Sequence, residues 1–386
     1  MNQVEPDNQS STSEPTSRAK NWANTMAGFD SSGAVVDAHR DSEIRIHIER
    51  DFDRPTREKA EEELNLAAAR SEGGGAREIQ ELPDPYRTCF EKDRDRILHS
   101  AAFRRLAGKT QVFIFPRDHQ RTRLTHALEV SQVARAISKR LGLNQDLTEA
   151  IALGHDCGHG PGGHASEDAL SVFLEGGYDH ATVGADQVLS KLNLCKETLD
   201  GVRNHSWNRP EPSSAEGLVV SWADRIAYCA HDLEDAASTG IIKLSDVPEE
   251  VRDAIGPTRS IQLDFFINSV VGCARETGRI AMYSEPAHYL SELRRFNYNS
   301  IYLRPESLRQ SELVISVLRN LVEYLHAHHG LASELLDRPE AKSGAVSLED
   351  IALYVGGMTD RYAFTLAREV LGLKDRSMPM GIDLLT

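Results

Sequence analysis

No stretch of the chain approaches the ~20 consecutive apolar residues of a membrane-spanning helix, so no such helix is expected. The opening MNQVEPDNQS is polar and acidic and lacks an apolar h-region; no secretory leader is expected, and the compartment is read as cytoplasmic. Cysteine is scarce. Cys89, Cys157, Cys195, Cys229 and Cys273 lie far apart, odd in number and without a CxxC spacing, which excludes a disulfide framework or a cysteine-built zinc site and suits reduced thiols. Positive charge is in deficit: 44 Lys and Arg against 59 Asp and Glu leave a formal charge of −15. That excludes coating of nucleic acid over the whole surface and leaves only local basic patches. Alternating strand patterns and internal repeats are also missing. What remains is 386 residues, 40% apolar and 27% charged, enough to fill a core. At ~150 residues per domain this gives two or three units.

The pattern is helical nearly throughout, and the expected class is all-α. Residues 1–75 read as a flexible tail, rich in Ser, Thr, Asn and Pro up to about residue 35. It carries a charged helical stretch, REKAEEELNLAAAR (57–70), ending at Gly73-Gly74-Gly75 as a flexible joint. Residues 76–240 read as a helical core, with a loop at NRPEPSSAEG (208–217). Residues 241–386 read as a C-terminal helical region packed on that core. There Val314, Val317, Leu321 and Leu325 recur at helical steps, and LEDIALYVGGMTDRYAFTLAREVLGL (348–373) reads as two helices or one broken at Gly356-Gly357.

The stretch ALGHDCGHGPGGHASEDAL (152–170) gathers His155, Asp156, His159, His164 and Glu167 beside five glycines and a proline. His155 continues the Leu147–Ile151 stripe and points inward. Asp156 lies ~100° further round, so the two side chains reach one ion only where a helix ends, and the glycine run supplies that ending. His126 stands one turn before the stripe Val130, Val133, Ile137, Leu141 and faces the same way. In LVVSWADRIAYCAHDLEDA (218–236), Asp224, Tyr228, Asp232 and Asp235 share one seam, with Val220 a turn before Asp224. An inward carboxylate is costly unless paired or metal-bound. A single inward histidine is usually a hydrogen-bonded core residue; the combination H…HD…D, every member inward, points to a metal centre held by His126, His155, Asp156 and Asp224. Two imidazoles and two carboxylates suit a divalent ion, Mg, Mn, Fe or Zn, with open positions. Gly108-Lys109-Thr110 suggests a phosphate loop, but the required upstream glycine is Phe103, and that reading fails.

H…HD…D resembles the HD-domain metal phosphohydrolases, and more closely the deoxyguanosine triphosphate triphosphohydrolase (dGTPase) family, a relative of the animal dNTP hydrolases of SAM-HD architecture. RDRILHSAAFRRLAGKTQVF (94–113) resembles that family's leading motif, GHDCGHGPGGHASEDAL its core motif, DRIAYCAHDLEDA (224–236) its fourth-ligand helix, and GGMTDRYA (356–363) a late segment. The family usually has a bulky residue where Gly162 stands and Ala or a similar residue where Gly154 stands. Its His-Asn-Glu-Gln-Ser segment is here DHATVGADQVLS (179–190). The resemblance implies an HD-domain helical core with a C-terminal helical extension. It implies catalytic or phosphate-contacting roles for His159, His164, Glu167 and His180, and substrate contacts for Gln111 near the sugar, Arg123 on the α-phosphate, Arg225, and Tyr228 with Asp232 on the 3′-hydroxyl.

The implied reaction cleaves a deoxynucleoside triphosphate into deoxynucleoside and inorganic triphosphate, with water acidified by the metal attacking the α-phosphorus. The 5′-oxygen leaves readily only if protonated; His164 beside Glu167 is the chosen acid, with His159 the other candidate. Arg94, Arg96, Arg104, Arg105, Lys109, Arg117, Arg121 and Arg123 read as a cationic funnel for the triphosphate. Alternatives are an HD-type phosphohydrolase of nucleoside monophosphates or cyclic nucleotides, and a regulatory module binding dNTP or single-stranded DNA. The family resemblance implies a homo-oligomer, tetramer or hexamer, with a nucleotide or single-stranded DNA as activator. His205 and Trp207, in NHSWNRPEP, are left open as possible flanks of the pocket.

Overall fold

Helix caps decide where the chain starts and stops its elements. Thr88 accepts from the Glu91 amide while Glu91 reaches back to the Thr88 amide, opening α1 (Cys89–His99). Thr122 opens α2 (Arg123–Leu141), which Gly142 closes in the left-handed conformation. The Asn144 side chain caps α3 (Gln145–Gly154). The structure is a computed structural model and describes residues 16–23, 38–39, 43–116, 120–337 and 346–381. Among these there is no strand, only an isolated antiparallel bridge between Thr110 and Thr122, and the class is all-α. Among the described residues no helix is long and apolar enough to cross a membrane.

Two compact units are present. In Met1–Asp51, the described part includes an exposed helix, Ser17–Ala23, started by Thr16. Helix-forming Ala and Lys there override the Ser-rich context; the rest of the tail expected over 1–35 lies outside the described residues. The second unit, Phe52–Thr386, holds the core. Its larger apolar cluster joins α1, α2 and α3 to α4 (Lys196–Asn204), α5 (Ala215–Ser238), α6 (Arg259–Thr277) and α7 (Ser284–Asn297), with Val130, Ile137, Ile151, Val220 and Phe266 fully buried. A second cluster forms between the helix His164–Leu170, α8 (Pro305–Ala327), α9 (Leu348–Gly356) and α10 (Asp360–Leu371), with Val314, Leu318, Leu321, Leu325 and Ile351 inside. The stretch 348–373 is thus two helices, parted at Gly357–Thr359.

Two local expectations are corrected. The charged helix expected over 57–70 runs instead from Arg54 to Ala60, followed by a 3-10 turn to Glu63. The following chain turns because Arg70 bonds the carbonyls of Leu64, Asn65 and Ala68, and Glu61 accepts from Ser71. Gly73-Gly74-Gly75 is a packed turn, not a loose joint. Gly75 has φ +79° and lies against Cys89 and Cys195, where a Cβ has no room, and buried Arg77 donates to the Gly74 carbonyl at 2.7 Å.

Candidate active site

The first turn of α2, the end of α3 and the middle of α5 meet at one point. His126 Nε2 lies 3.0 Å from Asp224 Oδ1. His155, just past the last helical residue of α3, sets Nδ1 at 2.7 Å from the Ala152 carbonyl, which makes Nδ1 the donor and leaves the Nε2 lone pair forward. That Nε2 is buried, has no hydrogen-bond partner, and stands 3.5 Å from Asp156 Oδ1 and 3.8 Å from Asp224 Oδ1. His126, His155 and Asp224 present ligand atoms within 4.8 Å of one another; Asp156 joins His155 and His205 in an overlapping group of the same span. An orphaned buried imidazole nitrogen beside two carboxylates is the chemistry of a cation site, and the residues fit a divalent ion. Burial opposes the charge on Asp224, yet the His126 hydrogen bond and the neighbouring imidazoles hold its carboxyl below the usual range. On Asp156 burial is likewise outweighed, chiefly by Arg123.

A second histidine group adjoins the first. Glu167 Oε1 lies 2.8 Å from His164 Nδ1, 3.1 Å from His180 Nδ1 and 3.7 Å from His159 Nδ1, while the His159 and His180 rings stack at 3.8 Å. His159 Nε2 points back to Asp156 Oδ1 at 3.2 Å. All four predicted residues come together, but unequally. His159 and His180 are buried, whereas the His164 side chain is 76% exposed. Burial opposes the positive charge on His180, but Glu167 more than offsets it and raises the pKa; burial drives His159 the other way. Glycines permit the close turns: Gly162, at φ +78°, would set a Cβ 2.6 Å from Val314, and its amide donates to Asp360 Oδ1 at 2.9 Å. Here a bulky residue has no space.

These groups open into a cavity of about 400 Å³, which Gln111, Arg123, Arg225, Tyr228 and Asp232 all line. Arg123 donates through Nη1 to Asp156 at 2.7 Å, and its buried Nε and Nη2 have no partner. Tyr228 accepts from Arg294 Nε at 2.8 Å, and Asp232 is engaged by Arg121 and the Tyr302 hydroxyl. Of the described members of the funnel expected from the sequence, only Arg123 lines the cavity. Arg94 pairs with Asp95 and Asp146, Arg96 with Glu81, and Arg121 with Glu129, Asp232 and Asp235. Lys109 is buried on the His159 and Gly356 carbonyls, and Arg117 lies outside the described residues. The cations beside Arg123 are instead Arg225, Arg294 and Arg304.

His205 settles inside the site. Its Nδ1 lies 2.8 Å from the Val202 carbonyl, its Nε2 3.3 Å from His180 Nε2, and its ring 5.0 Å from that of His155. The spacing Val202–His205, one helical step past buried Val202 at the end of α4, was the available signal. Arg294, near the end of α7, and Tyr302, at the end of the π-helical turn that follows it, also line the cavity and were missed.

Two family profiles match the chain: HD domain over residues 123–229 and Phosphohydrolase-associated domain over residues 280–369. A deoxyguanosinetriphosphate triphosphohydrolase-like protein of Caldanaerobacter subterraneus subsp. tengcongensis is 38% identical over 315 residues, covering 80% of this chain and 92% of the relative. The chain belongs to the deoxyguanosinetriphosphate triphosphohydrolase-like family. Similarly named proteins of Clostridium perfringens (40% over 314 residues, 78% and 91% covered) and Clostridium tetani (36% over 319 residues, 78% and 90% covered) agree. By its HD domain the chain is an HD-type phosphohydrolase. Its HD segment contains His126, His155, Asp156 and Asp224, and its associated segment supplies the opposite wall through Arg294, Tyr302 and Gln310.

Proposed function

We propose that the protein hydrolyses deoxynucleoside triphosphates to deoxynucleoside and inorganic triphosphate, with His126, His155, Asp156 and Asp224 as the ligands of a divalent ion. The observation that carries this reading is Arg123. One of its nitrogens is tied to Asp156 and two are buried without partners, which makes an anion seat directly beside the metal group. When bound, the ion, whether Mg, Mn, Fe or Zn, supplies Lewis acidity and an acidified water. Arg123 binds the α-phosphate in the cavity. His164, oriented by Glu167 and open to solvent, protonates the departing 5′-oxygen and is reprotonated from water. His159 and His180, stacked on each other, wall the reacting phosphate off from solvent. Gln111, Tyr228 and Asp232 receive the sugar.

The relatives' names support the triphosphate reading, and a 400 Å³ cavity suits one nucleotide. The test is a panel of dNTPs and NTPs with Mg, Mn or Co, alone and with a second dNTP as activator, separating nucleoside from nucleotide products. Deoxynucleoside and triphosphate from dGTP are expected. Orthophosphate from dGMP, with dGTP untouched, would replace this reading by a monophosphohydrolase.

A further inference from the structure

One cation of the cavity differs from the rest. Of the other arginines that line it, Arg123 pairs with Asp156, Arg294 donates to the Tyr228 hydroxyl, and Arg304 lies 3.9 Å from a carboxylate oxygen of Glu306. Arg225 follows Asp224 directly on α5 and, among the described residues, makes no hydrogen bond or ion pair; its buried Nε has no partner there. Its guanidinium carbon instead lies 3.5 Å from the centroid of the Trp207 ring. Trp207 is itself fixed. Its Nε1–H donates to the Ser221 carbonyl at 3.0 Å, one turn before Arg225 on the same helix, and Trp222 meets it edge-on at 4.8 Å and 80°. Trp222 is anchored in turn by its Nε1–H on the Ile280 carbonyl at 3.1 Å.

Stacking on an indole occupies the face of a guanidinium and leaves its in-plane N–H edge unused. That edge matches phosphate oxygens, which bind arginine bidentately in the guanidinium plane. Both Arg225 and Trp207 line the cavity, and Arg123 alone cannot neutralise a triphosphate of about four negative charges. We propose that Trp207 is a positioning residue that holds Arg225 flat, with its N–H edge presented to the phosphates beyond the α-position. This rests on the triphosphohydrolase reading of the same cavity and adds the residue that orients its outer-phosphate seat. An unstacked Arg225 would sample many rotamers and lose that entropy on binding, so removal of the indole weakens the anion seat without altering the nucleoside seat.

Titration calorimetry of the full-length protein in excess Mg²⁺ tests this, with inorganic tripolyphosphate and deoxyguanosine as separate probes. Trp207→Leu is expected to weaken tripolyphosphate about tenfold and Trp207→Phe, which keeps a ring face but loses the Ser221 anchor, about threefold. Deoxyguanosine affinity stays unchanged in both. In an Arg225→Met background Trp207→Leu adds less than about twofold, because the indole acts through the arginine. The proposal is overturned if tripolyphosphate does not bind the wild type, if Trp207→Leu binds it as the wild type does, or if both probes weaken together. It is equally overturned if Trp207→Leu has its full effect without Arg225. Calorimetry requires no turnover. A protein showing this cycle but splitting no dNTP keeps the anion seat and loses only the reaction, and one splitting dNTPs without the cycle loses only the role of Trp207.

Discussion

Around the cluster of His126, His155, Asp156 and Asp224, the atoms His155 Nε2, His126 Nδ1, His159 Nδ1 and two nitrogens of Arg123 are buried without partners among the described residues. Behind the start of α2 the situation is reversed: Arg121 donates to Glu129, Asp232 and Asp235, and the Tyr302 hydroxyl takes the other oxygen of Asp232. Both regions are buried and highly charged, and both draw on α2 and α5. A buried polar atom left unpaired costs about 1–3 kcal/mol, so several in one spot are tolerated only where something else completes them. The closed network is satisfied among its own side chains and contributes to stability, while its members Asp232 and Tyr302 also line the cavity. The open one leaves buried polar atoms unpaired among the described residues, which is what the proposed binding role requires.

The largest effect expected from breaking this contrast is at the open site. Asp224→Asn keeps the shape and removes one charge beside His126; metal content measured by mass spectrometry should fall from about one ion per chain to near zero, and turnover by more than about a hundredfold. A divalent ion at a hundred times its dissociation constant should stabilise the wild type by about 2.7 kcal/mol, seen as a raised Tm, and leave the variant unmoved. Equal Tm shifts in the two proteins would show that the ion binds elsewhere. At the closed site the expected order is inverted. Arg121→Met strands three carboxylates and should cost about 3–5 kcal/mol in urea unfolding with or without metal. The deficit should narrow in acid, where Glu129 and Asp235, raised by burial, take up protons. A urea midpoint matching the wild type would contradict the assignment of this network to stability.

The open site was legible in the sequence for a physical reason. A 3.6-residue period converts spacing into direction, so His126 before Val130 and His155 after Ile151 could only face inward, and the glycine run after His155 announced the helix end that lets Asp156 turn to the same place. The closed network was not legible. Arg121 meets its carboxylates 111 and 114 residues along the chain, and Arg96 meets backbone carbonyls of the Leu192–Asn193 turn, so a run of arginines looked like a funnel when most were already paired. Glycine misled in the same way: composition marks Gly73-Gly74-Gly75 as a joint, whereas its packing against Cys89 and Cys195 depends on partners distant in sequence. Local periodicity survives folding; long-range pairing is decided by it.

Lys109 sharpens the comparison through a slope in pH, because it is hydrogen-bonded but has no carboxylate bonded to it among the described residues. Its Nζ donates to the carbonyls of His159 and Gly356, tying the histidine turn to the end of α9, while the nearby Asp360 is taken by Thr110 and Gly162. Burial, reinforced by Arg105, pushes the ammonium down to about 7, against ~10.4 in an unfolded chain. Between these values the unfolded chain binds a proton that the folded chain has released, so this group makes stability rise with pH across the window, by at most ~1.4 kcal/mol per pH unit. Below pH 7 both states hold the proton, and the slope vanishes. Lys109→Met removes the titration along with the two hydrogen bonds. Its urea midpoint should therefore fall short of the wild type by a margin that widens from pH 7 to pH 10. Parallel curves over that range would mean that Lys109 stays charged on its two carbonyls, and that carbonyl dipoles alone can sustain a buried cation between the HD segment and the associated one.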